Sequence, residues 1–116
     1  MTENIKPVTK VFLASPGGHG EPFLGPGMIK LLVQINETNN VRKACENMGL
    51  SYSKGWKLLA RLENCIDFQV VSRRQGGAGG GDTRLTEEGA EFLKKHLQFE
   101  SECEKAVLDL FRKYYA

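Results

Sequence analysis

Between Pro26 and Asn36 the apolar residues Met28, Ile29, Leu31, Leu32 and Ile35 recur at i, i+3 and i+4 spacing. That pattern predicts an amphipathic helix, opened by Pro26 and ended by the run NETNN. A second, short period turns Val41, Ala44, Cys45 and Met48 inward, with Asn40 placed to cap its start and Gly49 to close it in the left-handed conformation. Ser51 can then cap a third helix, over about Tyr52 to Ile66. With only Gly49 and Leu50 between them, the two helices must cross steeply, as in a helix-turn-helix. At about 100° per residue, Tyr52, Gly55, Leu58, Leu59, Leu62, Cys65 and Ile66 gather on one side of the third helix. Ser53, Lys54, Lys57, Ala60, Arg61 and Asn64 fall on the other, and Trp56 lies at the boundary.

Elsewhere the pattern shortens. KPVTKVFLA, residues 6–14, is rich in β-formers and predicts a strand, and SPGGHGEPFLGPG after it predicts a loop. FQVVSRR and TRLT are two more strand-like runs, joined by a glycine-rich tip into a hairpin that would stand beside the helix-turn-helix as a wing. Thr86 is placed to cap a last helix from Glu87 to about Tyr115. Its apolar residues form two adjoining stripes. One holds Phe92, Phe99, Cys103, Ala106 and Leu110, with His96 in the seam; the other holds Leu93, Leu97, Val107, Phe111 and Tyr114. One stripe suffices to cover the domain's own core, which leaves a spare for another helix. The expected fold is α+β and mostly helical: a winged helix-turn-helix over residues 1–86 and a C-terminal dimerisation helix over 87–116, with the stripe Phe92, His96, Phe99, Cys103, Ala106 and Leu110 as the dimer contact.

A chain of 116 residues, 41% hydrophobic and 26% charged, holds one domain with a modest core. No apolar run nears the ~20 residues of a membrane span, and KVFLA is too short for a signal peptide. A cytoplasmic protein with no membrane partner is expected. Cys45, Cys65 and Cys103 contain no CxxC pair, so they read as free thiols, and no metal or cofactor is expected. No nucleophile has a plausible base beside it, so no enzyme is expected. The net charge of +2 is unevenly spread. Residues 51–86 carry Lys54, Lys57, Arg61, Arg73, Arg74 and Arg84 against Glu63, Asp67 and Asp82, whereas the last helix is acidic. A basic end of this kind suits a nucleic acid.

The wing tip, QGGAGGGD, has five glycines in six residues. It lacks the Lys of a Walker loop and has no βαβ unit around it, which leaves a nucleic-acid backbone or plain solvent as its neighbour. The amides of Gly76, Gly77 and Gly79, with Arg73, Arg74 and Arg84 at the tip's base, suit phosphate oxygens. In the third helix Ser51, Tyr52, Ser53 and Lys54 occupy the turn that would meet base edges in a major groove, and Lys57 and Arg61 continue that side toward the backbone.

Two stretches are specific enough to name a family. GLSYSKGWKLL, with its SY…W recognition helix, and the GGxGGG wing followed by RLTEEG resemble the N-terminal DNA-binding domain of the molybdate-responsive ModE-type transcription regulators, and more distantly that of LysR-type regulators. The likeness covers about Phe23 to Leu93. It implies a prokaryotic winged-helix homodimer on duplex DNA. Carried over by position, it implies base reading by Ser51, Tyr52, Ser53, Lys54, Trp56 and Lys57. It implies phosphate contacts by Asn40, Arg42, Arg61, Arg73 and Arg74. The second helix departs from the pattern, VRKAC being bulkier than the family's usual small residues. The molybdate-binding domains that follow the last helix in the family have no counterpart before Ala116, so no molybdate binding is expected. The chain is thus expected to be a sequence-specific transcription regulator; the competing reading is a winged-helix module whose basic wing docks an acidic protein.

Overall fold

Leu31, Leu32 and Ile35, fully buried, lie on helix α1 (Pro26–Thr38), against which α2, α3, α4, β2 and β4 pack. The computed structural model describes residues 4–17, 20–73 and 83–115, with Arg73 described in its backbone alone. Helices α2 (Val41–Met48), α3 (Tyr52–Cys65) and α4 (Glu87–Tyr115) are joined by two antiparallel pairs of strands. In the first, β1 (Leu13–Ala14) meets β2 (Pro22–Leu24); in the second, β3 (Val71–Arg73) meets β4 (Thr83–Leu85). This is the α+β, mostly helical winged helix that the residue pattern implies.

The helix termini follow from local chemistry. Pro26 opens α1, and Asn39, at φ 53°, ends it in the left-handed region, where asparagine is tolerated. Asn40 Oδ1 accepts the Lys43 amide at 2.9 Å to cap α2, and Gly49, at φ 68°, closes it. Ser51 Oγ accepts the Lys54 amide at 3.1 Å to cap α3. Thr86 Oγ1 accepts the Gly89 amide at 2.9 Å at the head of α4, where Glu87 and Glu88 suit the positive end of the helix dipole.

The N-terminal segment departs from its sequence pattern. The strand expected over residues 6–14 contracts to Leu13–Ala14, and its partner, Pro22–Leu24, comes from the stretch read as loop. β-formers become a strand only where a second strand presents its backbone, and among the described residues no strand pairs with Val8 or Phe12, which are exposed. The wing strands are likewise shorter than FQVVSRR and TRLT, although Val70 and Val71 are buried beneath them. Helix α3 keeps Gly55, Leu59 and Leu62 inside, but Tyr52 and Cys65, at its two ends, are exposed rather than buried. The inward arc holds only where another element overlies it.

Helix α4 packs on the body through Gly89, Leu93 and His96 and then runs outward, giving the molecule an extent of 58 × 33 × 24 Å. The N-terminal segment lies along its far half, where Ile5 and Pro7 border an open apolar groove with Val107, Leu110, Phe111, Tyr114 and Tyr115.

Helices α2 and α3 come into close contact at Gly55. A Cβ built on Gly55 falls onto the Sγ of the buried Cys45. Gly55→Ala is expected to lower stability by about 1–2 kcal/mol, overpacking at about 1–3 kcal/mol outweighing ~1 kcal/mol of helix propensity. In a Cys45→Ala background the new methyl has room, and the same substitution becomes neutral or stabilising. Urea unfolding of the four variants checks this; equal effects in both backgrounds contradict the contact.

Candidate nucleic-acid interface

The tight turn Gly49–Ser51 leaves the first turn of α3 standing clear of the body. Ser51, Tyr52, Ser53 and Lys54 are all exposed, as is Lys57 one turn on. Ser51 has its oxygen engaged as a cap, so it shapes the helix start as well as bordering the surface. Trp56 is half-buried: it packs against the core and meets Tyr52 edge-on, ring centroids 6.2 Å apart.

The α2 residues reach the same end of the molecule. Arg42 is exposed, and its guanidinium lies 4.2 Å from the centroid of the Tyr52 ring. Asn40 is half-buried with its side-chain oxygen committed to the Lys43 amide. Exposed Lys43 adds a cation that the motif reading passed over; a second base in the first turn of α2 was the available signal.

Arg61 is placed differently. It donates to the Pro22 carbonyl at 3.0 Å and pairs with Glu21 at 3.4 Å, tying α3 to the β1–β2 hairpin. That pair is solvent-exposed and weak. Arg84 is exposed on β4 opposite Ser72, whose hydroxyl donates to the Arg84 carbonyl at 3.3 Å. Arg74, Gly76, Gly77 and Gly79, with the side chain of Arg73, lie outside the described residues.

The root of the wing is fixed by a residue the motif reading did not single out. Glu63 Oε2, on α3, accepts the amides of Val70 at 2.7 Å and Val71 at 3.2 Å. One carboxylate thereby sets α3 and the start of β3 in register. The Thr83 amide, donating to the Asn39 carbonyl at 3.1 Å, ties the other wing strand to the turn between α1 and α2. A lone acid among the bases of α3 was the only sequence sign of it.

The stripe expected to make a dimer contact is divided. Phe92 packs edge-on against Phe68, with centroids 5.9 Å apart, and His96 is 5% exposed between Phe92 and Phe99, so both already serve the protomer's own packing. Phe99, Ala106 and Leu110 are exposed and Cys103 is partly so. Among the described residues no group of three or more His, Cys, Asp or Glu could hold a metal ion. Burial pushes the Cys45 thiol above its ordinary range, which keeps it protonated and unreactive. Among the described residues no helix is long and apolar enough to cross a membrane.

A helix-turn-helix with an exposed polar recognition turn, flanked by a wing, defines a DNA-binding regulatory domain. Residues 27–90 match the model of the bacterial regulatory helix-turn-helix proteins of the lysR family, more than half of the sequence, and the chain belongs to that family. The chain is also 31% identical over 88 residues to the molybdenum-pterin-binding protein MopA of Rhodobacter capsulatus, covering 76% of this chain and 33% of that protein. It is 36% identical over 63 residues to the molybdenum transport protein ModE of Herbaspirillum seropedicae, covering 54% and 23%. It is 28% identical over 72 residues to the DNA-binding transcriptional dual regulator ModE of Escherichia coli K12, covering 62% and 28%. The chain thus spans about a quarter to a third of the length of these relatives.

Removing the Glu63 carboxylate tests the wing anchor. Glu63→Ala leaves two amides at the wing root without their acceptor and is expected to cost about 1–3 kcal/mol. Glu63→Gln keeps an oxygen there and should lose clearly less. Urea unfolding that ranks Gln with Ala, or finds neither affected, removes the anchor's role.

Proposed function

We propose that the chain is a sequence-specific duplex-DNA-binding transcription regulator that works as a homodimer. The observation that carries the reading is the first turn of α3: Ser51 to Lys54 stand exposed while the same helix buries Gly55, Leu59 and Leu62. A helix anchored by one face and bare at its N-terminal turn is what entry into a major groove requires. In this reading Ser53, Lys54 and Lys57 meet base edges, while Arg42, Lys43 and the wing arginines Arg73, Arg74 and Arg84 meet phosphates. Arg61, engaged by Glu21 and Pro22, stays with the body.

Assembly is assigned to the outer part of α4, residues 97–115. Phe99, Cys103, Ala106 and Leu110 form one apolar stripe there, with Tyr114 of the adjoining stripe beyond them; Phe99 is 49%, Leu110 55% and Tyr114 73% exposed in the single chain. Such a stripe on a projecting helix is stabilised by a second copy of itself. The protomers' recognition helices then address half-sites about 34–36 Å apart.

Three sets of variants test the reading, each against duplexes selected from a random pool. Substituting Ser53 or Lys54 should change preference among sites by ~1–3 kcal/mol per lost base contact. Arg73→Ala or Arg74→Ala should weaken all duplexes alike. Ending the chain after Gln98 keeps the buried part of α4 and should give a folded monomer of much lower DNA affinity, because linked half-sites bind far more tightly than one. An intact chain that sediments as a monomer contradicts the assembly. Wing variants that alter sequence preference while the α3 variants do not would reverse the roles.

A further inference from the structure

The Arg42–Tyr52 contact joins the first turn of α2 to the first turn of α3, the two elements that the DNA-binding reading brings to the duplex. The Arg42 guanidinium is 4.2 Å from the ring centroid, well inside the ~6 Å range of a cation–π contact. Glu46 stands one turn further along α2, yet among the described residues no carboxylate pairs with Arg42. The cation is therefore held in place without being neutralised. A π-face takes up the charge but uses no carboxylate-type acceptor, so the N–H donors of the guanidinium stay available for an anion.

The ring is itself fixed. Trp56, packed against the core, meets Tyr52 at an interplanar angle of 86°. The series runs from core to indole to phenol ring to guanidinium, and each member limits the freedom of the next. An arginine on its own loses much rotamer freedom when it binds a phosphate; one already resting on a ring loses less.

Resting on the DNA-binding reading above, we infer that Tyr52 is a positioning residue: its ring holds Arg42 ready for a backbone phosphate, and this rather than base reading is its contribution. Tyr52 then raises affinity for every duplex. It does not choose among them.

The experiment uses the full chain and two duplexes of equal length, one selected from a random pool by the wild-type protein and one of mixed sequence. The variants are Tyr52→Phe, Tyr52→Leu, Arg42→Ala and the Arg42→Ala, Tyr52→Leu pair, each checked by thermal melting, which an exposed ring should leave little changed. Tyr52→Leu is expected to weaken both duplexes by the same factor, roughly two- to fivefold. Tyr52→Phe should bind as wild type, and the double variant should equal Arg42→Ala alone. The inference is overturned if Tyr52→Leu changes the ratio between the duplexes, if Tyr52→Phe loses as much as Tyr52→Leu, or if the two single losses multiply. Wild-type binding to both duplexes with Tyr52→Leu undiminished also overturns it and leaves the functional reading standing. A wild-type chain that retains neither duplex removes the functional reading, and this inference with it.

Discussion

The close packing of α3 on α2 at Gly55 is the constraint on which the rest of the molecule depends. Gly55 is what permits it, since its missing Cβ is the space that the Cys45 sulfur occupies. A wider crossing would lift Leu59 and Leu62 off α1 and expose apolar surface worth about 1.5–3 kcal/mol for each fully buried side chain. A different angle would turn the polar arc of α3 away from the end where Arg42 stands. Packing and function therefore meet at one position: the glycine that lets the helices touch also decides which side chains of α3 remain free.

The wing and the last helix join this centre through the buried Val70, Val71 and Leu93, and polar contacts fix how they sit. Glu63 holds the start of β3, the Asn39 carbonyl holds β4, and Thr86 links the Gln69 carbonyl to the head of α4. At Gly89 a Cβ would collide with the Val70 carbonyl, so α4 can seat only because that position is bare. These contacts set the direction in which α4 leaves the body. They are the link between the recognition surface and the stripe assigned to a second copy.

The sequence made some of this legible, and the limits have physical causes. The five inward residues of α1 were readable because the helix is covered along its whole length. The caps that open α2 and α3, Asn40 and Ser51, were readable because they depend on single side chains. Tyr52 and Cys65 were assigned inward by their angle on α3, but an angle does not say where the neighbouring element ends. His96 shows the same limit: its seam position on α4 is correct, yet the first turns of that helix lie against the body, which buries it. Val8 and Phe12 have strand-forming residue types, and whether a strand lies beside them among the described residues is a tertiary fact. The Arg42–Tyr52 contact and the Glu63 anchor join residues brought together by turns, which no single period reveals. The lysR-family match over residues 27–90 agrees with what the SY…W and RLTEEG stretches implied.

The central claim is that this surface binds the charged backbone of a duplex. The most direct measurement is the affinity of the intact chain for duplex DNA across a range of salt concentrations, with unrelated duplex as competitor. Several phosphate contacts in each protomer should make log K fall linearly with log[salt], at about −0.9 per phosphate neutralised, and unrelated duplex should compete. An affinity that is flat in salt, or binding that an acidic protein displaces and duplex does not, would contradict the account and give the wing to a protein partner.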